Sequence, residues 1–189
     1  IDALCEWLSQ EDVPKLTMGD LTIEFEQKWA AKIGCKYAVF VNSGSSANLI
    51  SMYSLIASKR LRNKKVVVPA VSWITSIAPI IQFGLEPILC DVNFNDLSVD
   101  LNKLEHVFKT EKPSALILVS ILGLVPDMMS IVYLCDLYKV ELIIDNCEGL
   151  GSKYNGFNID TFGTLSTCSL YFGHHLSCIE GGVIVTDDF

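Results

Sequence analysis

Apolar residues recur along this chain in two alternating rhythms. Leu21, Phe25, Trp29 and Ile33 stand four apart, which places them on one stripe of a helix that ends at Gly34. Residues 37–41 form a short strand-like run, followed by the polar turn Asn42-Ser43-Gly44-Ser45-Ser46. Leu49, Met52, Tyr53 and Ile56 then restore the helical period. The alternation continues with extended runs at 65–68, 87–92, 115–120 and 141–144. Between them lie helical patterns at 74–83, around Leu101, Leu104, Val107 and Phe108, and around Ile131, Leu134, Cys135 and Tyr138. Continuous apolar strands separated by amphipathic helices predict an α/β fold, a mostly parallel sheet covered on both faces. Near the end, an apolar run at 168–172 and another at 183–186 flank Gly173-His174-His175-Leu176-Ser177-Cys178-Ile179-Glu180-Gly181-Gly182. That reads as strand, polar hairpin, strand, with two of the three histidines at the tip.

Composition narrows the class. With 189 residues, half of them apolar and 19% charged, the chain has material for one sizeable core and fits a single domain. It begins at Ile1 without a methionine and stops just after a strand, so a fragment of a longer protein is expected. The formal charge of −8 argues against a nucleic-acid binder, which needs clustered Lys and Arg. The basic cluster of Lys59, Arg60, Arg62, Lys64 and Lys65 reads as the end of one helix leading into a strand. Seven cysteines without a Cys-x-x-Cys pair read as buried, reduced thiols of a cytoplasmic protein. The uncharged stretch 66–85 fails as a membrane span, because Pro69 and Pro79 interrupt it and Ser72, Thr75, Ser76 and Gln82 punctuate it.

In a parallel α/β sheet, ligands gather beyond the carboxyl ends of the strands. After the first strand, Ser43-Gly44-Ser45-Ser46-Ala47 opens a helix with free N–H groups and hydroxyls suited to a phosphate. Ordinary capping by Ser45 or Ser46 accounts for it equally well. The segment is neither a Walker loop nor a dinucleotide-binding glycine pattern. After the second strand comes Trp73, either a core aromatic or a residue that faces a ligand. After the fifth, Asp145 ends an apolar strand, where a carboxylate needs a partner or caps the next segment.

These segments, in this order, resemble the DegT-type sugar aminotransferases, pyridoxal-phosphate (PLP) enzymes of fold type I. The resemblance spans roughly residues 17–188. In that family Ser-Phe-Tyr, two residues, Lys, five residues and Glu-Gly-Gly mark the cofactor lysine. Here Ser169-Leu170-Tyr171 and Glu180-Gly181-Gly182 frame the same interval, but the lysine position is His174, and no lysine follows Lys153. The resemblance implies a three-layer sandwich with a mostly parallel mixed sheet, the large cofactor-binding domain of that fold over residues 1–189, with the family's small C-terminal domain absent. It implies phosphate binding by Gly44, Ser45 and Ser169, ring stacking by Trp73, a bond from Asp145 to the pyridine nitrogen, and Glu148 near the cofactor's 3-oxygen.

The exchange at His174 resembles the sugar 3-dehydratases of this family, which act on GDP- or CDP-linked 4-keto-6-deoxyhexoses on the route to deoxysugars such as those of lipopolysaccharide. An imidazole forms no stable Schiff base but serves as acid and base near neutral pH. The resemblance therefore implies a lyase that uses pyridoxamine phosphate (PMP), with His174 as its catalytic base and His175 as a neighbour that packs or orients the loop. The partners implied are a nucleotide-linked keto sugar, glutamate as amino donor and a second copy of the chain, with no nucleic acid or membrane. One branch of these dehydratases uses an iron–sulfur cluster, for which Cys147 is a candidate ligand; the cluster-free branch is preferred, since a cluster needs about four thiolates. An ordinary aminotransferase and a non-catalytic cofactor-binding relative are the alternatives.

Overall fold

The computed structural model describes residues 1–10, 15 and 17–188. A short exposed helix, α1 (Asp2–Leu8), precedes α2 (Asp20–Ile33), which stops where Gly34 takes a left-handed conformation at φ 97°. Of its expected stripe, Trp29 and Ile33 are buried, and Phe25 packs its ring against Trp29 and Phe40 at 5.4 and 5.3 Å. Leu21 stays exposed, because the stripe meets the sheet only from Phe25 onward.

The chain then alternates through β1 (Tyr37–Val41), α3 (Gly44–Ala57), β2 (Lys65–Pro69), α4 (Ile74–Gln82), β3 (Glu86–Cys90), α5 (Leu101–Glu111) and β4 (Ala115–Val119). A 3-10 turn (Ile121–Gly123) leads to α6 (Met128–Tyr138) and β5 (Glu141–Asp145). A small hairpin of β6 (Lys153–Tyr154) and β7 (Phe157–Asn158), a 3-10 turn (Ile159–Phe162), β8 (Leu165–Ser169) and β9 (Gly182–Thr186) complete it. The seven-stranded sheet runs β1-β9-β8-β5-β4-β2-β3. Only β9 opposes its neighbours; every other pairing is parallel, as crossover helices require. The predicted mostly parallel, mixed sheet is the one observed.

Strand alternation sorts the apolar residues into two layers. Val66, Val68, Ile117 and Ile143 face Met52 and Leu55 of α3 and Ile80 of α4. Val67, Leu116, Leu118 and Ile144 face Leu104 and Phe108 of α5 and Ile131 of α6. Each large side chain so buried contributes about 1.5–3 kcal/mol, so both helix layers are held by the sheet and not by their own propensity.

Three local expectations are corrected. On α3 the buried face is Ala47, Asn48, Ser51, Met52 and Leu55, not the stripe through Leu49 and Tyr53, and Tyr53 is exposed. Asn48 turns inward because it has a buried polar partner in Asp145. The penultimate strand ends at Ser169 rather than reaching 172; Leu170 is pinned by its N–H to Gly181 O and its carbonyl to Cys178 N, and the chain then leaves the sheet. Of the seven free cysteines, Cys90, Cys135 and Cys168 are buried, Cys35 and Cys147 are half-buried, and Cys5 and Cys178 are exposed. Among the described residues no helix is long and apolar enough to cross a membrane.

Candidate active site

A cavity of about 460 Å³ opens at the carboxyl ends of β1, β4, β5 and β8. Gly44, Ser45, Trp73, Asp145, Glu148, Ser169 and His174, the seven residues singled out in the sequence, all line it. They come from four separate stretches of chain, brought together because successive parallel strands deliver their following loops to one edge.

The floor at one end is the first turn of α3. Ser43 caps the helix, its Oγ accepting from Ser46 N at 3.1 Å, so the cap precedes both Ser45 and Ser46. The N–H groups of Gly44 and Ser45 lie ahead of the first bond that the helix can form. Ser169 meets this turn from β8, and a β-carbon at Gly44 would fall 2.9 Å from Cys147 Sγ. One placed on Gly182 would fall 2.2 Å from Ser43 O, so the second glycine of Glu-Gly-Gly lets β9 pass directly under the turn. The result is a cradle of backbone N–H groups and hydroxyls that a side chain at position 44 would fill.

At the other end Asp145 is buried, and two donors from the helix layer reach its Oδ2: Asn48 Nδ2 and Ser76 Oγ, each at 2.7 Å. Oδ1 accepts only a long 3.3 Å bond from Cys147 N, which partly fills the turn-capping role. Thr167 Oγ1 in turn donates to Asn48 Oδ1 at 2.7 Å, fixing which end of the amide faces the carboxylate. Pro79 contributes as well. Lacking an N–H, it leaves Thr75 O without its helical donor, and Asn48 Nδ2 lies 3.5 Å from that oxygen. Asp145 thus presents one loosely engaged oxygen to the cavity and is paid for by neutral donors.

Glu148 Oε2 accepts from Leu122 N at 2.8 Å, tying the turn after β5 to the turn after β4. Cys147 is half-buried between them, and desolvation, with the Asp145 charge beside it, pushes its thiol well above the ordinary range. His174 is half-buried in the 170–181 loop, its N–H bonded to Tyr171 O at 3.0 Å and its ring edge-on to the Tyr171 ring at 5.8 Å. His175 is exposed and does not line the cavity. Trp73 is no core aromatic: it is 67% exposed, on the cavity's rim.

Sequence reasoning missed Asn48, Ser76 and Thr167, which hold Asp145, and Thr75 on the cavity wall. No sequence signal marked Asn48, which only the fold turns inward, one helical turn after Gly44. Tyr171 and Glu180, used only as motif frames, also line the cavity. Among the described residues no group of three or more His, Cys, Asp or Glu side chains is placed to hold a metal ion.

Comparison with known proteins matches this geometry to one family. The model of the DegT/DnrJ/EryC1/StrS aminotransferase family matches residues 4–189. GDP-4-keto-6-deoxy-D-mannose 3-dehydratase of Yersinia pseudotuberculosis is 37% identical over 180 residues, covering 94% of this chain and 46% of that protein. The E. coli GDP-4-keto-6-deoxy-D-mannose-3-dehydratase with bound hydrated PLP is 37% identical and superposes with a TM-score of 0.86 over 91% of this chain and 45% of that one. A structure of GDP-4-keto-6-deoxymannose-3-dehydratase with a trapped PLP-glutamate geminal diamine, 36% identical, also has a TM-score of 0.86, over 91% and 45% of the two chains. The chain spans about half the length of the curated relatives it matches. With the family model matched from residue 4 to 189 and the chain superposing on solved members, the chain belongs to the DegT/DnrJ/EryC1/StrS aminotransferase family.

Proposed function

We propose that residues 1–189 form the large cofactor-binding domain of a PLP/PMP-dependent 3-dehydratase that acts on a nucleotide-linked 4-keto-6-deoxyhexose in deoxysugar biosynthesis. The observation that carries this reading is the cavity's composition: an N–H and hydroxyl cradle, a buried carboxylate and an imidazole, with no lysine among its described lining residues.

The site suits the cofactor. Gly44, Ser45 and Ser169 form the cradle for its phosphate, and the absent side chain at position 44 leaves the room. Asp145 would hold a proton at the ring nitrogen through its loosely engaged oxygen, while Asn48 and Ser76 keep the other oxygen in place. Trp73 offers a ring face at the rim, and Glu148, anchored by Leu122 N, faces the same space. Bound PMP would supply an amine for the sugar ketone and a protonated ring that takes up electrons. His174, on the cavity wall, would hold and move protons at the carbon bearing that amine and at the departing C3 hydroxyl. Its imidazole forms no lasting covalent bond to the cofactor, and glutamate would return the spent cofactor to its amine form.

The exposed apolar rim, with Trp73, Phe172 and Ile179, supports a homodimer that covers the cavity mouth. The cytoplasm is the expected location, where the nucleotide sugar and glutamate meet. The test is an absorption spectrum of the full-length protein with PLP, before and after borohydride, followed by mass spectrometry. Cofactor that binds without covalent fixation and converts with glutamate to its amine form supports the reading. Fixation to a lysine returns the chain to the ordinary aminotransferases, and no binding points to a non-catalytic relative.

A further inference from the structure

Behind the wall that carries Asp145 lies a second buried carboxylate. Asp160 sits in the 3-10 turn Ile159–Phe162 at 4% exposure. Successive residues of a strand point to opposite faces. Asp145 therefore meets Asn48 and Ser76 on one side of the sheet, and Asn146, next in the chain, turns to the other. There Asn146 Nδ2 donates to Asp160 Oδ2 at 2.9 Å, while its Oδ1 accepts from Ser120 Oγ at 2.6 Å and its N–H donates to Thr167 O at 2.9 Å. The turn closes tightly over this amide: a β-carbon on Gly149 would stand 2.2 Å from Asn146 Oδ1.

Both oxygens of Asp160 accept from neutral donors: Ser166 Oγ donates to Oδ1 at 2.7 Å, a shorter contact than its 3.0 Å approach to Ile144 O, and Asn146 Nδ2 donates to Oδ2. Among the described residues no ion pair reaches Asp160. The titratable groups that feel it are the thiols of Cys35 and Cys168, which burial pushes up to about 11 and about 12. Burial likewise raises the Asp160 carboxyl above the usual carboxylate range.

We propose that Asp160 is a positioning residue for this site: its carboxyl accepts from Asn146 and Ser166, and through Asn146 it sets the turn presenting Asp145 and Glu148 to the cavity. The inference rests on the cofactor reading above.

The test uses the full-length protein, PLP titration by absorbance, and hydrogen exchange of the peptide spanning 145–149, with that spanning 128–138 as control. Asp160→Asn, which keeps one acceptor and one donor, retains PLP affinity within about twofold and leaves exchange unchanged. Asp160→Leu weakens PLP about tenfold, the loss expected for stranding a buried amide, and speeds exchange at 145–149 but not at 128–138. Should Asp160→Leu fail to fold, Ser166→Ala replaces it, with about threefold weaker PLP expected. Wild-type behaviour of the folded Leu variant, or of Ser166→Ala in its place, overturns the positioning role; an Asn variant as impaired as Leu overturns positioning through the hydrogen bond to Asn146. A wild-type protein that binds no PLP sinks the cofactor reading instead, and the exchange comparison still decides the role of Asp160.

Discussion

A β-carbon built on Gly44 would stand 2.7 Å from the β-carbon of Ser169, closer than real side chains approach. The first turn of α3 and the end of β8 therefore touch through a missing side chain. Gly44→Ala forces them apart at the proposed phosphate cradle. Overpacking of this kind costs about 1–3 kcal/mol, and PLP affinity falls with it. Chemical denaturation and a PLP titration on the same variant check both.

Asp145 keeps its helix-side donors if its charge is removed by Asp145→Asn, so the variant folds and still binds PLP. Without a carboxylate to hold the ring nitrogen's proton, turnover falls by about a hundredfold or more. Steady-state kinetics with the nucleotide sugar, paired with the PLP spectrum, separate this from a loss of binding.

On the proposed reading, His174→Asn removes the base and leaves the cradle and Asp145 untouched. Dehydration drops by about two to four orders of magnitude while PLP still binds. His174→Lys behaves differently: its amine captures PLP, so borohydride fixes the cofactor to the protein, which mass spectrometry detects as a covalent adduct.

Thiol reactivity divides by burial. At pH 8 Cys5 and Cys178, both exposed, are alkylated by iodoacetamide in the native protein, Cys178 more slowly because partial burial raises its thiol. Cys35 and Cys90, pushed up to about 11, and Cys135 and Cys168, up to about 12, resist. Peptide mass spectrometry after brief labelling reads the order directly.

Asp160 carries a pH signature. Its folded-state carboxyl titrates above its unfolded value, so between the two the unfolded chain has lost a proton that the folded one keeps. Stability contributed by this group is therefore fully present below the unfolded value and declines as pH rises through the folded one. Asp160→Asn removes that decline, so the variant gains on wild type as pH is raised from about 4 toward neutrality. Denaturation midpoints across the range test the sign.

The alternation of helix and strand was legible because apolar spacing changes from four to continuous at each boundary, and residues such as Gly34 end helices for a local steric reason. The site was legible where a residue follows directly on a strand, as Asp145 and Ser43 to Ser45 do. Asn48 was not, because a polar residue on a helix reads as solvent-facing until a carboxylate from another strand stands 2.7 Å away. Tyr53 failed the other way: an aromatic at helical spacing reads as core, but its face of α3 looks outward.

By itself the sequence determined the order of elements, the parallel class of the sheet and the chemical types assembled beyond its strands, since these follow from local periodicity and from residues adjacent in the chain. Tertiary structure alone decided that Gly44 touches Ser169, that Asn48 and Ser76 hold Asp145 from one face, and that Asp160 holds Asn146 from the other. Contacts across 14 to 125 positions of chain depend on strand order and register, and no local pattern of hydrophobic spacing encodes which strand lies beside which.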